Sequence, residues 1–390
     1  MSDGQAFLFA TAGGAAVGNL YWAQPILSVL ARDLGVCLGT AALLVTFTQV
    51  GYAVGVFLLV PLGDIADRRR LIPRMMTAAA LMLGASALAP SFPILLVTLG
   101  LVGASTVSGQ MLAPLAGDLA TDQQRGHVLG TVAAGIGIGI LAARAISGVI
   151  TDLLGWRALY GTVAIAMVLM ALVMRRSLPT LPPRTRAAYP DLLASVPRTF
   201  LMSATARWTG FLGACAMCVF TLYWTGLTFL LSGQPFGFSA TQIGLISLIG
   251  ILGAVAGQRA GGLYDRGLAM PAIGVGLAGS IAAFALSGLA PHSLTAVTVS
   301  IALFSVGIQV VQVMTQTRML SIDPGARSRL NTLFVVGNFL GSSIGSALAS
   351  ALWGWGGWPL AIAGATAILL VALLAWLVQR RRALDVYYEG

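Results

Sequence analysis

A chain of 390 residues with 57% hydrophobic and only 9% charged side chains cannot dress its surface for water, since a soluble domain carries roughly a quarter charged residues. Most of its outside must face lipid, a conclusion that the mean hydropathy of +0.90 supports. The formal charge of +10 comes entirely from arginine; these arginines fall between apolar runs, so they orient the chain in a bilayer and argue against a nucleic-acid partner.

Apolar stretches long enough to cross the hydrocarbon core recur along the whole chain. They are placed at 7–30, 39–62, 73–90, 93–117, 127–151, 157–174, 203–231, 240–259, 270–290, 294–317, 329–352 and 358–379. The first follows six residues with neither a basic start nor a small-residue cleavage pattern, so no cleaved leader is expected. It carries Asn19, Tyr21 and Gln24, with Asp33 close to its outer end. Gly63, Asp67 and Arg68 occupy the loop after the second stretch, and Gln110 and Asp118 lie on the fourth. Arg144 sits deep in the fifth, on its outer half by depth counting, near the level of Gln24. A charge there costs a few kcal/mol or more unless it meets water or a partner. Arg144 is therefore either a counter-charge for an anionic or strongly polar substrate group or a structural arginine bonded to the first helix.

Between the sixth and seventh stretches, the proline- and arginine-rich interval 177–200 reads as a cytoplasmic linker joining bundles 1–176 and 201–390. On the seventh, Cys215 and Cys218 form a CxxC without flanking charge or a second pair, which reads as packing rather than a zinc or redox site. Tyr223 and Trp224 follow on the same helix, and Gly261, Asp265 and Arg266 mark the loop after the eighth. Gln309, Gln312 and Gln316 recur at i, i+3 and i+7 on the tenth, either lining a cavity or bonding between helices. Eighteen of the 22 arginines fall in segments on one side and two, Arg32 and Arg157, on the other. That bias puts both termini in the cytoplasm, and a bacterial inner membrane is the expected location. All twelve acidic residues lie near helix ends or in tails; Asp33 and Asp118 are the nearest to proton-coupling carboxylates, though capping or interface roles also fit them.

The chain repeats itself. Leu20-Tyr21-Trp22 recurs as Leu222-Tyr223-Trp224 and Gly155-Trp156 as Gly357-Trp358, each 202 residues later; Gly63, Asp67 and Arg68 recur as Gly261, Asp265 and Arg266. Two parallel copies of a six-helix unit are expected. The loop Gly63-Asp64-Ile65-Ala66-Asp67-Arg68-Arg69-Arg70 resembles the signature of the major facilitator superfamily, and Gly261 to Gly267 resembles its weaker second copy. Asn19 to Pro25 resembles the first helix of bacterial arabinose-efflux-like and drug–proton antiporter members. The chain lacks the fourth-helix arginine of many drug exporters and the Gly-Pro pair of their fifth helix, keeping Gly135, Gly137 and Gly139.

The resemblance implies an all-α membrane protein of twelve transmembrane helices in two pseudo-symmetric six-helix bundles. It also implies a central path lined by the first, fourth, seventh and tenth helices. Asn19, Tyr21, Gln24, Gln110, Arg144, Tyr223, Trp224, Gln309, Gln312 and Gln316 would bind substrate there. Gly63, Asp67, Arg68, Gly261, Asp265 and Arg266 would form a conformational latch. The expected activity is export of a small molecule by alternating access, with a proton as coupling ion. Uptake of an organic anion or polar nutrient is the alternative, and a non-transporting receptor the reading from another class. A monomer with no cofactor and no metal is expected. No nucleophile with its base, no paired carboxylates and no GxxxxGK[ST] appear, which argues against an enzyme or an ATP-driven pump.

Overall fold

In the computed structural model, residues 3–121, 123–179 and 188–388 are described, with side chains at 202, 324 and 381–388 excepted. Asp122, the middle of the expected linker with Arg184 and Arg186, the side chains of Arg381 and Arg382, and Glu389 lie outside the described residues. Each predicted stretch is mainly helical, and no strand forms among the described residues.

The order is α1 (Asp3–Gly18), α2 (Leu27–Asp33), α3 (Leu38–Leu59), α4 (Leu62–Ile65), α5 (Arg68–Ala87), α6 (Phe92–Ser105), α7 (Ser108–Leu119), α8 (Arg125–Leu154) and α9 (Trp156–Ser177). There follow α10 (Tyr189–Met202), α11 (Ala204–Ser232), α12 (Ala240–Ile246), α13 (Ile251–Asp265), α14 (Ala269–Leu289), α15 (Leu294–Leu320) and α16 (Arg327–Tyr388). Among the described residues, nine helical stretches are long and apolar enough to cross a membrane, and one of them, Arg327–Arg380, contains two of the predicted spans. The first helix falls outside the nine because it breaks after 16 residues, and α5 because it opens on Arg68, Arg69, Arg70 and Arg74. Outward faces stay apolar: Ile138, Ile165 and Leu374 are all more than 60% exposed, as fits helices whose solvent is lipid.

Contacts divide the chain into two compact units. Unit 1 comprises Met1–Ala194 and Leu231–Leu248; unit 2 comprises Ser195–Leu230 and Ile249–Gly390. In unit 1, α12 lies on α8 so closely that a Cβ at Gly148 would run into the Ala240 backbone, and the Asp152 carboxylate accepts the Thr241 N–H at 2.7 Å.

The repeat is visible in how each unit packs. Gly51 and Gly55 on α3 press against the backbone of Gly100 and Ala104 on α6; 202 residues later, Gly253 and Gly257 on α13 press against Ser305 and Gln309 on α15. Gly14 on α1 meets Gly139 on α8, while Gly341 and Gly345 on α16 meet Ala214 and Cys218 on α11. Small residues let these helix backbones approach, gaining dispersion contacts that apolar lipid cannot drive by a hydrophobic effect. Both Gly-Trp pairs mark a tight turn between helices. Gly155 and Gly357 have φ of 85° and 62°, a left-handed conformation that favours glycine. The tryptophans then pin the turn, Trp156 Nε1 donating to Asp33 Oδ2 at 3.0 Å and Trp358 Nε1 to the Ser287 carbonyl at 3.1 Å.

Candidate substrate site and charge cluster

The polar part of unit 1 is built where two helices break. After Gly18 the chain tightens into i→i−3 bonds, Asn19 N–H to Ala16 O and Tyr21 N–H to Gly18 O, before Pro25 starts a new turn. The fourth span breaks likewise between Ser105 and Ser108. Discontinuous helices are a recurrent setting for transporter sites, because freed backbone groups and polar side chains meet there. Asn19 Nδ2 donates to Thr106 Oγ1 at 2.9 Å, and Thr106 Oγ1 donates to the Ala16 carbonyl at 2.7 Å. Trp22 Nε1 donates to Asn19 Oδ1 at 2.9 Å, and Ser147 Oγ to the Trp22 carbonyl at 2.5 Å. The two breaks are thus tied to each other and to α8.

Arg144 enters this cluster from α8. It is only 2% exposed, and its Cζ stands 5.0 Å from the centroid of the Tyr21 ring, within the range of a cation–π contact. Gln24 is buried as well. Gln110 Nε2 donates to Tyr52 Oη at 2.9 Å, bringing α7 onto α3. Asn19, Tyr21, Gln24, Gln110 and Arg144 therefore all lie in unit 1, Asn19, Tyr21 and Arg144 within one bonded cluster. Thr106, Ser147 and Tyr52 enter these bonds without any mark in the sequence. Hydroxyls on apolar helices give little signal, since most bond back to their own turn.

In unit 2 the repeat partners behave differently. Tyr223 is fully buried, with ring centroids of Phe304, Phe284 and Trp358 at 4.7, 5.0 and 5.8 Å. Its hydroxyl lies 3.0 Å from Ser300 Oγ, which itself donates to the Ala283 carbonyl, so Tyr223 is the donor. Trp224 is buried beside it. The glutamine stripe splits three ways. Gln309 lies against Gly257, Gln316 is exposed, and Gln312 Nε2 donates to the Gly213 carbonyl at 3.0 Å. Asn338 Nδ2 in turn donates to Gln312 Oε1 at 3.0 Å. A carbonyl only accepts, so this relay runs one way, and Asn338 Oδ1 is a buried acceptor with no hydrogen-bond partner among the described residues.

The charge cluster centres on Arg68, whose side chain is buried. Its Nε donates to the Gly63 carbonyl at 2.7 Å, its Nη1 to Asp118 Oδ2 at 3.0 Å, and its Nη2 lies 3.9 Å from Asp64 Oδ1. Gly63 allows the approach, since a Cβ there would already touch the Met111 sulfur. Asp67 caps α5 by accepting the Arg69 N–H at 3.0 Å. All these partners belong to unit 1. In the second copy, Asp265 and Arg266 are exposed and form no ion pair among the described residues. Asp33 and Asp118, expected as coupling candidates, are thus bonded to Trp156 and Arg68 respectively. Removing the Arg68 guanidinium in Arg68→Ala is expected to lower stability by about 1–2 kcal/mol, the half-exposed Asp118 limiting the loss. Thermal unfolding of the purified protein reads this directly, with exposed Arg74→Ala unchanged; equal effects at both positions would remove the special role of Arg68.

Among the cysteines, Cys215 and Cys218 are buried, and Cys37 is exposed. Hydrogen bonds from Thr40, its side chain first, draw the Cys37 thiol pKa below its ordinary value. Among the described residues no group of histidines, cysteines and carboxylates could hold a metal.

The sequence profile described as the Major Facilitator Superfamily matches residues 8–324. The chain is 36% identical over 370 residues to the uncharacterized transporter YgaY of Escherichia coli O157:H7, covering 95% of this chain and 94% of that one. It is 31% identical over 373 residues to a probable transporter of Streptomyces coelicolor, with 93% and 85% covered. A bacterial homolog of the human lysosomal transporter Spinster, in an inward-facing and unoccupied conformation, superposes with a TM-score of 0.75 at 14% identity, over 99% of each chain. At that identity the likeness is one of fold.

Proposed function

Since the chain belongs to the Major Facilitator Superfamily and is a membrane transporter of that type, we propose that it is a proton-coupled exporter of small organic molecules. It works by alternating access as a monomer in a bacterial inner membrane, with both termini in the cytoplasm and no enzymatic activity. The proposed division is an N-terminal bundle 1–176, a linker 177–200 and a C-terminal bundle 201–390.

The observation that carries this reading is Arg144, buried in the membrane-spanning part of α8 over the Tyr21 ring and beside two helix breaks. An intramembrane ionisable residue in such a place is by default a functional one. Asn19, Tyr21, Gln24 and Gln110 supply amides and an aromatic face around the same region, which suits a small amphiphilic molecule. Of the second-half residues, Gln309, Gln316 and Trp224 are proposed as contacts, while Tyr223 and Gln312 position their neighbours through the bonds described above. Arg68, Asp67 and Gly63, with Gly261, Asp265 and Arg266, form the proposed latch. Asp118 is the better-placed coupling group, because protonating it would release Arg68. Export is favoured by Asn19 to Pro25, the stretch that resembles arabinose-efflux-like members. Uptake of an organic anion is the second reading, favoured by the positive charge of Arg144.

The test is accumulation of a panel of antibiotics, sugars and organic acids in cells with and without the protein. Lower accumulation that recovers when a protonophore collapses the proton gradient is the expected result. Accumulation above the control would establish uptake instead, and export indifferent to the protonophore would remove proton coupling.

A further inference from the structure

We propose that unit 2 carries a binding site for an anionic phospholipid headgroup, formed by Arg318, Trp376, Gln379 and Arg380. These residues meet where α15 ends and α16 nears its end, beside the start of α14. The inference goes beyond transport and does not depend on it.

Arg318 lies in the last turn of α15, where a cation generally answers its own helix carbonyls. Here its Nη1 reaches across to other helices, to Met270 Sδ at 2.6 Å and to Gln379 Oε1 at 3.5 Å. Neither the thioether nor the amide carries a negative charge. Trp376 is fixed alongside, its Nε1 donating to the Met270 carbonyl at 2.8 Å. Exposed Arg380 lays its Cζ 5.5 Å from the Trp376 ring centroid. Arg318 and Trp376 thus share Met270 as a partner, Arg380 covers the indole, and neither guanidinium pairs with a carboxylate among the described residues. The described acidic side chains of unit 2 are Asp265, exposed at the end of α13, and Asp323, which accepts the Gly325 N–H.

Such a pair of guanidinium groups suits an anion with oxygens that fit a guanidinium fork, which is the chemistry of a phosphate group. A lipid is the source rather than free phosphate, because Leu374, Leu377 and Val378, adjoining the site on α16, are exposed and offer an apolar surface to acyl chains. Basic sites between helix ends commonly hold anionic headgroups, and a tryptophan settles at headgroup depth. In the proposed orientation this end faces the cytoplasmic leaflet.

The full-length protein, purified in detergent, is titrated with dioleoyl phosphatidylglycerol or dioleoyl phosphatidylcholine and observed by native mass spectrometry. Phosphatidylglycerol is expected to stay bound under activation that strips phosphatidylcholine. Arg318→Gln and, separately, Arg380→Gln should each weaken the adduct about fivefold, while exposed Arg329→Gln leaves it unchanged. Arg380 is exposed, so its variant tests the site even if Arg318→Gln unfolds. Equal retention of the two lipids, or full retention in Arg380→Gln and in folded Arg318→Gln, would overturn the proposal. So would displacement of phosphatidylglycerol by millimolar sodium phosphate, which would make free phosphate the ligand.

Discussion

Gly139→Leu is expected to abolish recovery of folded protein from the membrane, whereas Gly137→Leu, two residues away on the same helix, behaves as the parent. Both glycines sit in α8, both are half-buried, and composition cannot distinguish them. Their surroundings differ completely. A Cβ at Gly139 would fall inside the van der Waals shell of the Gly14 backbone on α1, while one at Gly137 has nothing within 4 Å. Overpacking usually costs about 1–3 kcal/mol when side chains can adjust. Here the obstacle is backbone, and the reciprocal Gly14 is itself hard against Gly135, so the two helices would have to separate along the seam. At Gly137 the larger residue meets open space and improves helix propensity by up to about 1 kcal/mol. Fluorescence-detected size-exclusion and thermal unfolding of both variants decide the matter. Similar behaviour of the pair would mean that α1 and α8 do not meet along this face.

Arg144→Met is expected to reduce transport tenfold or more while leaving the thermal midpoint unchanged or raised. Methionine fills a similar length without a charge, and replacing a buried ionic group by a well-packed apolar one is often neutral or stabilising. A charge near the middle of a membrane helix also costs roughly 2.5–3.5 kcal/mol to insert, a cost the variant avoids. If the guanidinium serves the transported molecule, activity falls although the fold is at least as stable. If instead it holds α8 to the first helix, the midpoint drops and transport falls only with the amount of folded protein. Arg144→Lys separates charge from shape: it keeps the cation but loses the planar group over Tyr21, so intermediate transport is expected. A tenfold change corresponds to about 1.4 kcal/mol, well within what one polar contact at a buried site supplies. Transport and unfolding must be measured on the same preparations, since only their divergence assigns Arg144 to function.

That Arg144 lies deep in a span is legible in the sequence, because the apolar run extends on both sides of it. Its stacking on Tyr21 is not, because the contact joins residues far apart in the chain. Asp118 illustrates the same limit. Its sequence position fits a coupling carboxylate, an end cap or an interface residue alike, and only the fold brings it to Arg68 at 3.0 Å. The glutamines of α15 look like one stripe by helical period, yet Gln312 bonds to α11 and α16 while Gln309 lies against Gly257 of α13.

The sequence by itself determined the solvent and the helical class, and it set out the expected spans and repeat. Each follows from local facts: too few charges for water, apolar runs of bilayer length, and motifs recurring at one offset. Tertiary structure decided which glycines form seams, where the first and fourth helices break, and which polar groups those breaks bring together. It also decided that the stretch Leu231–Leu248 packs with unit 1. Such choices depend on distances between segments remote in sequence. In a bilayer, where apolar surface gains little by turning inward, they are set by shape and hydrogen bonding rather than by hydrophobic pattern.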